Sequence, residues 1–331
     1  MSGKHSNISI FVPHIGCKNK CSFCNQRHIT GTFRAPNASD VKIAVKNALK
    51  SKNYNPKTTE IAFFGGSFTA INSNYMVDLL DTASKFVEEG IVSGIRISTR
   101  PDAINREILQ ILKKYNVNAI ELGAQSLDEN VLKLNNRGHN VKDVFNASKL
   151  IKEFGFELGL QIMTGLYGDD AKTCIKTAEK CIEIGPDTVR IYPTIVLKDT
   201  YLAALYEDNI YMPQSLNDAV ELASKLYTMF TDNNIRVIRL GLHSIEQKAF
   251  VAGPWHPAFS ELCLSKLMLE KALKKLNETG KYIIYVNKSD VSKMIGQKKS
   301  NILHLQSLGF DCKVIAKEDI AGGQIEIMRE V

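Results

Sequence analysis

Cys17, Cys21 and Cys24 stand at C-x3-C-x2-C spacing within the run Gly16-Cys17-Lys18-Asn19-Lys20-Cys21-Ser22-Phe23-Cys24-Asn25. Three thiolates on one loop can ligate three irons of a cubane [4Fe–4S] cluster, which leaves the fourth iron open to a small molecule. No fourth cysteine lies at ferredoxin-like spacing nearby. A structural zinc is one alternative and would need a fourth ligand, which His14 or His28 could supply; thiols unrelated to any metal are another. Cys174, Cys181, Cys263 and Cys312 are scattered along the chain. An odd total of seven cysteines, three of them gathered near one end, is a poor disulfide framework and a good metal-site pattern. It implies a reducing, cytoplasmic compartment.

The loop that carries these cysteines follows a short apolar run, Ile8–Val12, and further runs of the same kind recur at Ile61–Phe64, Ile95–Ser98, Ala119–Leu122, Leu158–Met163 and Thr188–Tyr192. They are nearly continuous in Ile, Val, Leu and Phe, as strands covered on both faces of a parallel sheet are. Amphipathic segments such as Val41–Leu49 and Tyr75–Val87 lie between them with apolar residues at helical spacing. Six βα units in succession predict an α/β fold, a partial (βα)6 barrel. The polar strings Gly65-Gly66-Ser67, Ser98-Thr99-Arg100, Glu121-Leu122-Gly123-Ala124-Gln125 and Gln161 then fall at strand C-termini, the functional rim of such barrels. Arg137-Gly138-His139 does not follow a strand end.

Composition sets the outer bounds. The chain has 331 residues, 44% of them hydrophobic and 23% charged, with a net charge of +7. That length accommodates a large domain and a small one. No apolar run is long enough to span a membrane, and no apolar signal segment opens the chain, so no membrane association is expected. We expect a barrel over residues 1–200, a mostly helical extension over 201–277 interrupted by Ile235–Leu240, and a small α/β appendix over 278–331. Nine lysines against three acidic residues between Leu264 and Ser300 give that stretch a local charge of +6. It reads either as a solvated surface or as a patch that meets RNA.

Taken together, C-x3-C-x-aromatic-C after the first strand, Phe64-Gly65-Gly66-Ser67-Phe68-Thr69 after the second and the rim strings beyond resemble the radical S-adenosylmethionine superfamily. They resemble especially the radical domain of the Elongator catalytic subunit, over about Ile8 to Pro193 and more loosely Gly241–Phe259. The resemblance implies that Cys17, Cys21 and Cys24 hold the cluster. It also implies that Phe23, Gly65, Gly66, Ser67, Ser98, Arg100, Gln125 and Gln161 contact or frame S-adenosylmethionine, and that a flavodoxin or ferredoxin supplies electrons. Alternatives stand beside these roles: Arg100 could serve only a pair with Asp102 or Glu121, and Gln125 could merely cap its turn. The Elongator subunit also carries an acetyltransferase domain, for which this chain is too short, so acetyl-CoA chemistry is not expected.

Overall, the chain is similar to the clostridial queuine lyases. That likeness implies release of the cyclopentenediol from the small molecule queuine to give 7-aminomethyl-7-deazaguanine, a step of queuosine salvage. A planar deazaguanine wants an aromatic face, an acceptor for its N–H edge and polar partners for the diol. Arg190, Tyr192 and His256 are the candidate catalytic residues; Glu121, Tyr192, Trp255 and His256 are the candidate substrate contacts, and His243 follows another strand-like run. Packed-loop roles for Trp255 and His256 and a salt bridge for Arg190 are the alternatives. A tRNA-modifying enzyme of the Elongator type is the competing reading, with tRNA as partner. Gly296-Gln297-Lys298-Lys299, inside a helical stretch over Ser289–Ser307, resembles the G-x-x-G loop of a KH domain, which clamps nucleic-acid backbone. Lys299 replaces the second glycine, so a degenerate KH-like module that serves as a structural lid stands beside an RNA contact as the reading of this appendix.

Overall fold

The computed structural model describes residues 5–12, 16–17, 19–25, 34–242 and 245–330. Seven parallel strands form one sheet in the order β1-β2-β3-β4-β5-β6-β8. They are β1 Ser6–Val12, β2 Thr59–Gly65, β3 Gly94–Thr99, β4 Val117–Gln125, β5 Glu157–Thr164, β6 Thr188–Pro193 and β8 Arg236–Leu240. The six expected runs are the first six strands. The Ile235–Leu240 interruption joins them as the seventh, pairing Thr188 with Arg236 and Ile191 with Leu240. Its alternating exposure, with Arg236 and Ile238 outward, is that of an edge strand covered on one side, which is why it lacks the continuous apolar signature of the others.

Helices follow the strands and cover the outer face of the sheet. Each starts where a short polar side chain takes up unpaired backbone N–H groups. Asn37 and Asp40 form a reciprocal capping box before Ala38–Ala48, and Asn140 and Asp143 do the same before Val141–Glu153. Asn72, Asn105, Asp170 and Ser215 cap four more. The apolar stripes of these helices meet the strands in one continuous core that includes Ile61, Ile97, Ile120, Leu160, Leu80, Leu112 and Phe230. Each such side chain contributes about 1.5–3 kcal/mol by leaving water.

The helices of the expected extension are Tyr201–Glu207, Leu216–Asp232 and Phe259–Leu273. A two-stranded ribbon, β7 Val196–Leu197 against β9 Phe250–Ala252, ties the chain after β6 to the chain after β8. Phe259 and Cys263 of the last helix lie in the barrel core, whereas Met268 and Ala272 lie in a second, smaller core. One helix thus serves both units.

The small unit is a three-stranded sheet in which β10 Gly280–Val286 runs parallel to β11 Phe310–Ala316 and antiparallel to β12 Ile325–Arg329. Ser289–Ser307 is not one helix. It breaks between Val291–Ile295 and Ser300–Ser307, where Gly296, Lys298 and Lys299 take φ of 79°, 52° and 64°. A Cβ on Gly296 would lie 2.5 Å from Ser300 Oγ, and buried Asn301 donates to the carbonyl oxygens of Ser265 and Lys293, which pins the second helix across the kink. Among the described residues no helix is long and apolar enough to cross a membrane.

Candidate active site

The C-terminal ends of the strands surround two adjoining cavities. The larger, of about 510 Å³, is lined by Cys17, Cys21 and Cys24 together with Phe23, Gly65, Gly66, Ser67, Ser98, Arg100, Gln125 and Gln161. The structure therefore brings all eleven candidate cluster and cofactor residues to one place. The smaller, of about 240 Å³, shares Phe23, Cys24, Gly65, Ser98, Gln125 and Gln161 with it and adds Phe11, Phe64, Met163, Arg190 and Tyr192. His14, His28 and His243 lie outside the described residues.

The cysteine loop is built onto its neighbours by close backbone contacts. Gly16 has φ of 81°, and a Cβ there would fall 2.5 Å from the carbonyl oxygen of Ser67. Gly65 has φ of 109°, and a Cβ there would fall 2.9 Å from the carbonyl oxygen of Val12, while Gly66 N–H donates to that same oxygen. Only glycine permits such an approach between the loop and the turn after β2. On the other side, Ser22 N–H donates to the carbonyl oxygen of Asn135 and Ser22 Oγ donates to Asn135 Oδ1 at 2.6 Å. Asn135 itself donates to the carbonyl oxygens of Val131 and Tyr167.

Polar groups left without partners gather on this wall. Arg100 pairs with Asp102, its Nε 2.9 Å from Oδ1, but its buried Nη1 has no partner. The Arg100 guanidinium holds the Asp102 carboxyl below the usual carboxylate range against the opposing effect of burial. Gln125, in the left-handed region at φ of 65°, has a buried Oε1 with no partner, as does Nε of Arg137. Buried polar atoms without partners are costly and mark a place for a polar ligand. Burial pushes the Cys17 thiol up. Among the described residues no three His, Cys, Asp or Glu side chains gather tightly enough for a single ion, and the three thiols are distributed along the cavity wall. A donor set of three thiols, a cation against Cys21 and unpartnered Arg100 and Gln125 atoms fits a thiolate-bound cluster with a zwitterionic amino-acid ligand beside it.

Arg137 is the residue that sequence reasoning left without a role. Its Nη1 donates to Cys21 Sγ at 2.9 Å and its Nη2 to the carbonyl oxygen of Gly123 at 2.6 Å. The motif Arg137-Gly138-His139 was visible, yet it lies off the strand ends where barrel sites are sought. His139 packs beside it with Nε2 3.3 Å from the carbonyl oxygen of Ala124; burial brings its pKa down to about 4, so the imidazole is neutral near pH 7.

The floor of the smaller cavity is charged. Arg190 donates through Nε and Nη2 to the two oxygens of Glu121, which is 1% exposed. Burial works against the charged Arg190, and Glu121 more than offsets it. Tyr192 lies beside Arg190 in this wall, and desolvation raises its phenol against the opposing charge of Arg190. Glu121 is thus held behind Arg190 and does not line the cavity. Trp255 packs with Phe250 at 6.2 Å between ring centroids, and His256 Nδ1 accepts from Ala258 N–H. Neither lines either cavity, so the structure does not bring them to the site. They stood out by rarity on a proline-stiffened loop, and the loop uses them for its own packing and capping.

Residues 11–181 match the radical SAM superfamily, and residues 186–269 match the radical SAM C-terminal domain. An uncharacterized protein of Methanocaldococcus jannaschii is 27% identical over 73% of this chain and 77% of its own length. The tRNA uridine(34) acetyltransferase of Dehalococcoides mccartyi is 23% identical over 62% of this chain and 52% of its own. Elongator complex protein 3 of Homo sapiens is 28% identical over 66% of this chain and 43% of its own. The chain spans about half the length of these last two relatives or less. Among solved structures, the archaeal Methanocaldococcus infernus Elp3 superposes with a TM-score of 0.67 at 21% identity, covering 82% of this chain and 64% of that one. The superfamily uses a [4Fe–4S] cluster and S-adenosylmethionine, and with more than half of its residues in the matching segment, its curled seven-stranded sheet and its cysteine-lined cavity, this chain belongs to the radical SAM superfamily as one of its enzymes.

Proposed function

We propose that this enzyme is a lyase that cleaves queuine at the bond between the exocyclic amine and the cyclopentenediol, releasing 7-aminomethyl-7-deazaguanine. The observation that carries the reading is the composition of the 240 Å³ cavity: aromatic faces from Phe11 and Phe64 beside a small set of polar groups at Ser98, Gln161, Arg190 and Tyr192. Such a wall suits one planar heterocycle. When bound, the cluster and S-adenosylmethionine supply a 5′-deoxyadenosyl radical for hydrogen abstraction, and Cys17, Cys21 and Cys24 are the residues to hold the cluster. Gly65, Gly66, Ser67, Arg100 and Gln125 then frame the methionine portion of S-adenosylmethionine.

The polarity of the substrate wall follows from what lies behind it. Gln161 Nε2 donates to Glu121 Oε2 at 3.0 Å and faces Ser98 Oγ at 3.4 Å. A carboxylate only accepts, so the Gln161 amide is fixed with Nε2 toward Glu121, and its Oε1 is the acceptor for a heterocycle N–H. Arg190 is committed to Glu121 through two nitrogens, so the Tyr192 hydroxyl beside it is the group on this wall to meet a diol or carbonyl oxygen.

Action on tRNA is the second reading. The name of the relative from Dehalococcoides mccartyi, tRNA uridine(34) acetyltransferase, favours it, as do exposed Lys298 and Lys299 on the kink of the small unit. One assay separates the two. Anaerobically reconstituted protein with dithionite and S-adenosylmethionine is incubated with queuine or with tRNA, and the products are read by mass spectrometry. Queuine-dependent 5′-deoxyadenosine together with 7-aminomethyl-7-deazaguanine is the expected result. Intact queuine beside tRNA-dependent 5′-deoxyadenosine overturns the lyase reading and leaves the second.

A further inference from the structure

We infer that Arg137 tunes the cluster: by hydrogen bond and charge on the Cys21 thiolate it raises the reduction potential, so that a low-potential one-electron carrier can reduce it. The inference rests on Cys17, Cys21 and Cys24 as cluster ligands and is independent of which substrate is turned over.

Arg137 is 6% exposed and sits with Nη1 2.9 Å from Cys21 Sγ. Its other contacts are neutral: Nη2 donates to the carbonyl oxygen of Gly123, and the guanidinium lies 5.9 Å from the centre of the Phe23 ring. The remaining buried arginines differ. Arg100 is paired with Asp102, Arg190 with Glu121, and Arg96 with Glu60, Glu121 and Glu157. Among the described residues Arg137 makes no ion pair with a carboxylate, and the side chain it donates to is Cys21, which carries negative charge as a thiolate. The backbone fixes it there. Arg137 N–H donates to the carbonyl oxygen of Leu132, and Asn136 and Gly138 on either side take φ of 53° and 70°. The preceding Asn135 is the residue on which Ser22 of the cysteine loop is docked.

A desolvated cation beside a ligating thiolate favours the form of the cluster with the more negative charge, which is the reduced one. Hydrogen bonds to sulfur and local charge are established determinants of cluster potential. Removing the cation lowers the potential, and keeping the charge without the planar fork recovers part of it, because an ammonium cannot hold Gly123 and Cys21 together.

The test is a mediated redox titration of the anaerobically reconstituted full chain, followed by electron paramagnetic resonance of the reduced cluster. Iron and sulfide content is measured on the same samples. Arg137→Gln is expected to keep wild-type iron and to lose about tenfold in the equilibrium constant for one-electron reduction, roughly 59 mV. Arg137→Lys is expected between the two. Unchanged potentials in both variants at full iron content overturn the proposal and leave Arg137 a packing residue. If Arg137→Gln holds no iron, Arg137→Lys alone decides. Should neither variant load, the wild-type iron–sulfur stretching frequencies in water and deuterium oxide decide: a shift is expected from an exchangeable N–H on sulfur, and its absence overturns the proposal. A wild-type protein that takes up no cluster would instead sink the ligand assignment of the three cysteines.

Discussion

Arg190 and Glu121 form a two-pronged ion pair inside the half-barrel, with Nε and Nη2 at 2.6 and 2.7 Å from the two carboxylate oxygens. The pair joins two layers. Above it Tyr192 and Gln161 line the smaller cavity; below it Arg96 reaches Glu121 at 3.5 Å, Glu60 at 2.8 Å and Glu157 at 3.0 Å. A carboxylate shared by two guanidiniums, all three groups buried, is expensive to break from one side.

Glu121→Gln leaves Arg190 without its counter-charge and lets the Gln161 amide turn over. We expect a loss of about 3–5 kcal/mol in unfolding free energy, the range for one partner removed from a buried pair. Denaturant unfolding measures it. Cluster content should stay at the wild-type level, since Glu121 does not line the larger cavity. A variant as stable as wild type would show that the pair carries no net weight.

Tyr192→Phe keeps the ring and removes one hydroxyl from the wall of the smaller cavity, the proposed substrate site. Product formation should fall by tenfold or more, while 5′-deoxyadenosine still forms in slow uncoupled turnover. The ratio of the two products, read by mass spectrometry, checks this. Equal loss of both would place Tyr192 in cofactor handling.

Cys17→Ala, Cys21→Ala and Cys24→Ala are each expected to abolish 5′-deoxyadenosine formation, because each removes one of three ligands. Substitution of Cys174, Cys181, Cys263 or Cys312 should leave iron content unchanged. Those four thiols are buried elsewhere, with burial holding the Cys181 and Cys263 thiols up at about 12. Iron analysis and anaerobic turnover of the seven single variants decide the assignment.

Gly16→Ala would place a methyl 2.5 Å from the Ser67 carbonyl oxygen at a φ of 81°. Backbone cannot yield as a flexible side chain can, so the cysteine loop must lift from the turn after β2. Iron occupancy should drop severalfold while circular dichroism of the sheet and helices is preserved. Full occupancy would mean that the loop tolerates a different seat.

How far the sequence carried these conclusions depended on how many faces of an element are buried. Strands β2 to β6 are covered on both sides, so they appear as continuous apolar runs and their polar C-terminal residues point straight to the cavity. Strand β8 at the edge alternates, and Arg236-Val237-Ile238-Arg239 gives no such signal. The candidate cofactor residues Gly65, Ser98, Arg100, Gln125 and Gln161 were legible because they lie in the C-terminal halves of strands or just past their ends. Arg137 was not, because its approach to Cys21 depends on a turn between two helices, Glu129–Leu134 and Val141–Glu153, whose packing no periodicity reports. Trp255 and His256 mark the opposite error: uncommon residues on a rigid loop drew attention that geometry does not support.

Acid stability should depend on Glu60 at the base of the barrel. Burial alone would raise its carboxyl. His5, the Arg96 charge and Asn118 outweigh it and bring the pKa from 4.5 down to about 2. Glu60 is 4% exposed, so the interaction is little screened. A carboxyl whose folded pKa lies below its unfolded one stabilises the fold fully above the unfolded value, and that stability is lost as pH falls through the folded value. The window is therefore about pH 5 down to pH 2, and the contribution is roughly 3 kcal/mol at 1.36 kcal/mol for each pH unit. Urea unfolding at pH 7, 5, 4 and 3 should show wild type losing stability more steeply than Glu60→Gln, whose side chain does not titrate. Parallel pH dependences would show that Arg96 and His5 do not hold Glu60 ionised.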